Sequence, residues 1–200
     1  LMVTMIAIPR RLSASGRDPM KGIVFTEFLD MVGQRHSLDM VDDLIDAAQL
    51  PSGGAYTAVG TYPHQEMVAL VSALSQRVAV PVPLLLQAFG EHLFGRFVQR
   101  YPAFFVGRTD VLAFLAGVED IIHVEVLKLY PDAQLPRFEV ESHTSRQLVL
   151  RYHSARHLED LAEGLIRGCA RHFGQALQIE RAPGNGSDDH CERFTLTLMD

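Results

Sequence analysis

The sequence has no tryptophan and only two cysteines, Cys169 and Cys191. Two thiols make no disulfide framework, so a reducing, cytoplasmic location is expected. Positive charge is sparse as well. The net charge is −6, the pI is about 5.8, and Arg10-Arg11 is the only tight basic cluster. Phosphate backbones require a basic face, which argues against nucleic acid as a partner. Long apolar runs are also missing. The strongest, Val78 to Phe89, contains Pro81 and Pro83 and is well short of a bilayer's thickness, so no membrane span is expected. There is no glycine-rich phosphate loop, Ser/His/Asp grouping or CxxC. The start runs from apolar to basic, Ile6-Ala7-Ile8-Pro9-Arg10-Arg11, the reverse of a secretory signal. Residues 1–19 therefore read as a non-domain extension from upstream sequence, with the domain spanning 20–200.

Within those exclusions the composition is that of an ordinary globular domain. The 200 residues are 48% hydrophobic and 21% charged, enough for one domain or one domain with two lobes. Helical spacing recurs in Phe25, Phe28, Leu29 and Val32, in Val41, Leu44, Ile45 and Ala48, and in Met67, Leu70, Val71 and Leu74. Pro51-Ser52-Gly53-Gly54 and Thr61-Tyr62-Pro63 punctuate these helices. Another helix runs from Leu84 to Arg100, and its Gly90 and Gly95 suggest close packing against something flat. A further helix is expected from Asp110 to Leu129. After Pro136 the texture alternates, in Arg137 to Glu141 and in Gln147 to Tyr152, with a turn at Arg146 making them antiparallel neighbours. A helix over 158–173 and strands near 177–181 and 193–199 complete an α+β fold. Its N-terminal lobe is helical. Its C-terminal lobe has a four-stranded antiparallel sheet with helices.

Two places carry chemistry. His123 sits among Ile121, Ile122, Val124 and Val126, where an imidazole is poorly hydrated unless its nitrogens find partners. A backbone carbonyl and a metal are both suitable, so a satisfied core histidine and a metal ligand remain alternatives. Tyr152, Ser154 and Arg156 follow at i, i+2 and i+4 where a strand meets a helix. In extended chain they share a face and offer two hydroxyls and a guanidinium to a carboxylate or phosphate. The competing reading makes Ser154 a helix N-cap, Arg156 a solvated charge and Tyr152 an edge packer.

Taken together these residues resemble the haem-nitric oxide/oxygen binding family, H-NOX, related to the haem domain of soluble guanylate cyclase. The resemblance rests on several matching stretches. They are Met20-Lys21-Gly22, Gly90 with Leu93 and Phe97, Asp120-Ile121-Ile122-His123, Leu135-Pro136, and Tyr152-x-Ser154-x-Arg156 with Leu158 and Gly164-Leu165. It runs from Met20 to the C-terminus and implies a b-type haem buried between the lobes. His123 is then the proximal iron ligand, Tyr152, Ser154 and Arg156 hold the propionates, and Pro136 presses on the porphyrin. Val24, Phe28, Leu93, Phe97, Leu161 and Leu165 line the distal side.

Family members that hold dioxygen carry a tyrosine donor nine residues after the motif tyrosine. Here that position is Leu161, and the two supporting positions hold Phe28 and Leu93. The expectation is a ferrous site that binds NO and CO without a stable oxy complex. NO binding weakens the Fe–His bond, the lobes shift, and a separate signalling protein responds in trans. In bacterial relatives that partner is a histidine kinase or a cyclic-di-GMP enzyme. A peroxidase- or oxygenase-type haem enzyme needs polar distal groups, which the apolar set disfavours. A haem-free domain binding an acidic molecule through Tyr152 and Arg156 is the remaining alternative. Some relatives carry a zinc held by three cysteines and a histidine. Only Cys191 survives here, with Glu159, Arg181 and the Gly184 region at the other places, so no zinc is expected. His190-Cys191 reads as an exposed strand start and Asp42-Asp43 and Asp188-Asp189 as solvated, while His92, two residues after Gly90 and beside Leu93, has a distal role as its less favoured reading.

Overall fold

The computed structural model describes residues 18–184 and 191–199. Residues 1–17 of the expected extension, the pair Asp188-Asp189 and His190 lie outside them. The first lobe opens with strand β1 (Pro19–Lys21), helix α1 (Gly22–Arg35) and helix α2 (Leu38–Ala48). Strand β2 (Thr61–Pro63), α3 (His64–Val78) and α4 (Val82–Arg100) follow. The Ser37 hydroxyl accepts the Met40 N–H at 3.1 Å, a cap that stops α1 and starts α2. Pro83 stands in the first turn of α4, where a missing N–H costs nothing. The apolar stripes converge on one core, with Phe25 stacked on Tyr56 at 4.4 Å and Phe28 edge-on to Phe89 at 5.2 Å.

The second lobe contains α5 (Val111–Ala116), a π-helical turn (Val118–His123) and α6 (Val124–Leu129). Then come β3 (Arg137–His143), β4 (Gln147–His153), α7 (Glu159–Phe173), β5 (Leu177–Pro183) and β6 (Cys191–Leu198). The four strands form an antiparallel sheet in the order β3-β4-β6-β5. Leu148, Leu150, Tyr152, Phe194 and Leu196 fill a second core with residues of α5 and α7.

Glycine joins the two lobes. A Cβ on Gly90 would strike the α7 backbone at Leu161 and Gly164, and one on Gly164 would strike the α4 backbone at Gln87. Two helix backbones are in contact there, which only residues without a side chain permit. The partner expected beside Gly90 is therefore a helix, and Gly95 has nothing within 4 Å of its Cβ position.

Two further expectations change. The helix expected over 110–129 is broken, with six residues wound as a π turn. Thr61-Tyr62-Pro63 is a short strand pairing with β1, Met20 opposite Tyr62. Three residues give no period to read; tertiary pairing defines them. Among the described residues no single helix is long and apolar enough to cross a membrane.

Candidate functional site

Between the lobes lies an apolar cavity of about 280 Å³. Protein interiors leave few voids larger than a water molecule, so a space of this size is built rather than accidental. Its walls come from α1 at Val24, from α4 at Leu93 and Phe97 with Tyr101 just past its end, and from α7 at Leu161 and Leu165. The opposing residues are Leu115, Ile122, His123, Val126, Pro136, Phe138, Tyr152 and Arg156.

His123 closes the π turn. Its Nδ1 lies 3.1 Å from Glu119 Oε1, and Nε2 has no protein partner among the described residues. Burial holds the imidazolium below its ordinary range, with Glu119 opposing the shift. Glu119 Oε1 also accepts the Phe138 N–H, so Nδ1 is the donor of the pair and Nε2 is the nitrogen left over. That is the form a metal ligand takes.

Arg156 brings charge to the same cavity. Its Nη2 donates to the Gln134 carbonyl, while Nε is buried with no hydrogen-bond partner. Burial lowers the guanidinium pKa. A half-desolvated cation with an unused N–H is costly until an anion meets it. Tyr152 is 3% exposed, and burial, against a hydrogen bond to Ser154, pushes its hydroxyl up to about 12.

Ser154 departs from the expected picture. The chain turns after His153, so Ser154 is buried but off the cavity wall, and its Oγ accepts the Arg156 backbone N–H at 3.3 Å. Nor is it a helix cap, because α7 starts at Glu159. Its hydrogen bond lies within the turn that carries Arg156. Phe28 is likewise displaced from the expected lining. It is fully buried against Phe89 in the first core, not on the wall. Val24, Leu93, Phe97, Leu161, Leu165 and Pro136 all line the cavity, and His92 does not.

Sequence reasoning missed several polar neighbours. Tyr101, one turn beyond Phe97, reaches the lining, as does Tyr130. Lys21 donates to Asp132 at 3.1 Å and to Thr61 at 2.9 Å, tying the loop after α6 to the first lobe. Glu119, at i−4 from His123, was detectable by helical spacing alone. At the corner once compared with a zinc site, Arg181 donates to Asp160 at 2.6 Å, Glu163 at 3.2 Å and Glu192 at 3.0 Å. Cys191 Sγ lies 3.8 Å from His153 Nε2.

An apolar slot with one free imidazole nitrogen and one underused guanidinium suits a flat, metal-bearing group with carboxylate arms. The comparisons agree on the class. The family model described as Haem-NO-binding matches residues 21–181. The chain belongs to this family, H-NOX, a family of haem-based gas sensors. The fold matches the Fe(II) unliganded H-NOX protein from K. algicida with a TM-score of 0.84 and 38% identity, covering 90% of this chain and 97% of that one. An H-NOX protein from S. oneidensis in the Fe(II)NO state matches at 0.82 and 30%, covering 90% and 100%. The IWP-051-bound H-NOX from Shewanella woodyi in the Fe(II)CO state matches at 0.77 and 35%, covering 90% and 95%. No curated protein matches the chain.

Proposed function

We propose that the chain holds a b-type haem between its lobes and senses NO and CO, passing the signal to a separate protein. The observation that carries this reading is the pair of unused valences in one cavity: the Nε2 lone pair of His123 and the buried N–H of Arg156. When bound, haem supplies a ferrous iron with a coordination position for a diatomic gas. His123 is the residue to hold that iron. Arg156, aimed by Ser154, neutralises a propionate, and Tyr152 offers its hydroxyl beside it. Pro136, in the wall two residues before Phe138, is positioned to bear on the porphyrin. The H-NOX relatives solved with NO and CO support the choice of ligand.

Selectivity follows from the side chains at the expected distal positions. Val24, Leu93, Phe97, Leu161 and Leu165 bring no hydrogen-bond donor to the cavity. A polarised dioxygen complex needs a donor, whereas NO and CO need little, so no stable oxy form is expected. Those five side chains supply no acid or base, and the family is one of gas sensors, so we read the chain as a sensor and not an enzyme. Its output partner is a histidine kinase or a cyclic-di-GMP enzyme in trans, and its location cytoplasmic. Such coupling requires the gas to favour one arrangement of the lobes over the other.

The deciding measurement is the absorption spectrum of ferrous protein under argon, NO and air. Haem bands that shift with NO and lack an oxy form support the proposal. A persistent oxy spectrum overturns the selectivity, and protein that stays colourless when supplied with haem overturns the whole reading.

A further inference from the structure

Glu119 is so far only the neighbour of the His123 ring, yet it makes two contacts at the centre of the site. One oxygen, Oε1, lies 3.1 Å from His123 Nδ1 and accepts the Phe138 backbone N–H at 2.5 Å. We propose that Glu119 is the positioning residue for the iron-ligating imidazole, and that it ties this imidazole to strand β3. The proposal rests on His123 being the iron ligand.

The local winding explains why this residue is available. A π turn is wound more loosely than an α-helix, with i→i+5 bonding, which brings side chains four apart nearer to eclipse. Glu119 and His123 stand four apart within that turn. The neighbouring carboxylate, Asp120, is exposed and makes no bond to the ring. Accepting the Nδ1–H fixes the tautomer, so Nε2 carries the lone pair. It also raises the basicity of the ring toward a metal.

The second contact adds a mechanical role. Phe138 lies two residues after Pro136, and both line the cavity. Because Glu119 and His123 share the turn, the imidazole cannot swing with it unless the 2.5 Å bond from Phe138 breaks or the start of β3 follows. One acidic oxygen thus sets the strength of the proximal bond and joins its motion to the sheet.

The test uses ferrous, unliganded, haem-loaded protein as wild type, Glu119→Gln and Glu119→Ala. Resonance Raman reads the Fe–His stretch, and hydrogen exchange reads the β3 amides. The alanine variant is expected to lower the stretch, to lose haem roughly ten-fold faster, and to speed exchange at Phe138. The glutamine variant, which keeps the shape without the charge, is expected to fall between. An unchanged stretch in both variants overturns the positioning role. If exchange alone rises, Glu119 is a tie to β3 only, and the proposal fails. Should the wild type take up haem but show no Fe–His stretch, the assignment of His123 fails, and this proposal with it.

Discussion

The two walls of the cavity are built to opposite standards. On one side α4 and α7 touch backbone to backbone through Gly90 and Gly164, and Leu93 and Leu161 are buried at 3% and 8% exposure. On the other, α6 has no buried residue, the helix before it is interrupted by the π turn, and Val124 and Leu127 are more than 40% exposed. Few buried contacts and irregular winding mark the low-stability end of a structure. The wall expected to face the gas is therefore stiff, and the wall holding the imidazole is yielding. A sensor needs that asymmetry, since a ligand arriving on a fixed surface moves whatever is least well anchored.

The sharpest way to break this contrast is to remove the imidazole. His123→Gly is expected to purify without haem colour and to regain it with free imidazole, which restores a ligand but not the covalent link to the π turn. The rescued protein is expected to signal as the NO-bound form does; signalling like unliganded wild type would refute the coupling of the imidazole to the lobes. Next in size is the stiff wall. Gly164→Ala places a methyl against the Gln87 backbone, and the forced separation of α4 and α7 is expected to cost about 3 kcal/mol in urea unfolding. Arg156→Ala should follow, weakening haem binding by about 2 kcal/mol, roughly thirty-fold, because an anion loses a charged hydrogen bond. Haem-transfer kinetics measure it.

The smallest effect concerns the tether of the yielding wall. Hydrogen bonds from Lys21 and Thr61 hold the Asp132 carboxyl below the usual carboxylate range. Its folded value is depressed, so the tether is complete above the ordinary carboxylate pKa and is lost as pH falls through the lower, folded value. Asp132→Asn should therefore lose less stability than wild type when unfolding is compared between about pH 6 and about pH 3. Equal losses would show that the tether carries nothing.

Much of the architecture was legible because its elements are long and periodic. The helices over 22–35, 82–100 and 159–173 and the four-stranded sheet follow directly from apolar spacing and alternation. What escaped was set by neighbours rather than by pattern. Residues 118–123 keep a helical composition, and nothing in it announces looser winding. Ser154 was placed with Tyr152 and Arg156 on the assumption of extended chain, but the strand ends at His153. Phe28 falls on the buried face of α1, as its spacing requires, yet that face is wide enough to put it behind the wall instead of on it.

The π turn also fixes a spacing. Wound as a regular helix, residues 118–123 would need one position fewer to cover the same rise, and each position is worth about 100° about the axis. Removing a single residue between Glu119 and His123 would leave a regular helix that keeps the imidazole in phase but sets it three residues from the carboxylate in place of four. The surplus residue, an apparent flaw in the winding, is what gives Nδ1 and its acceptor their spacing.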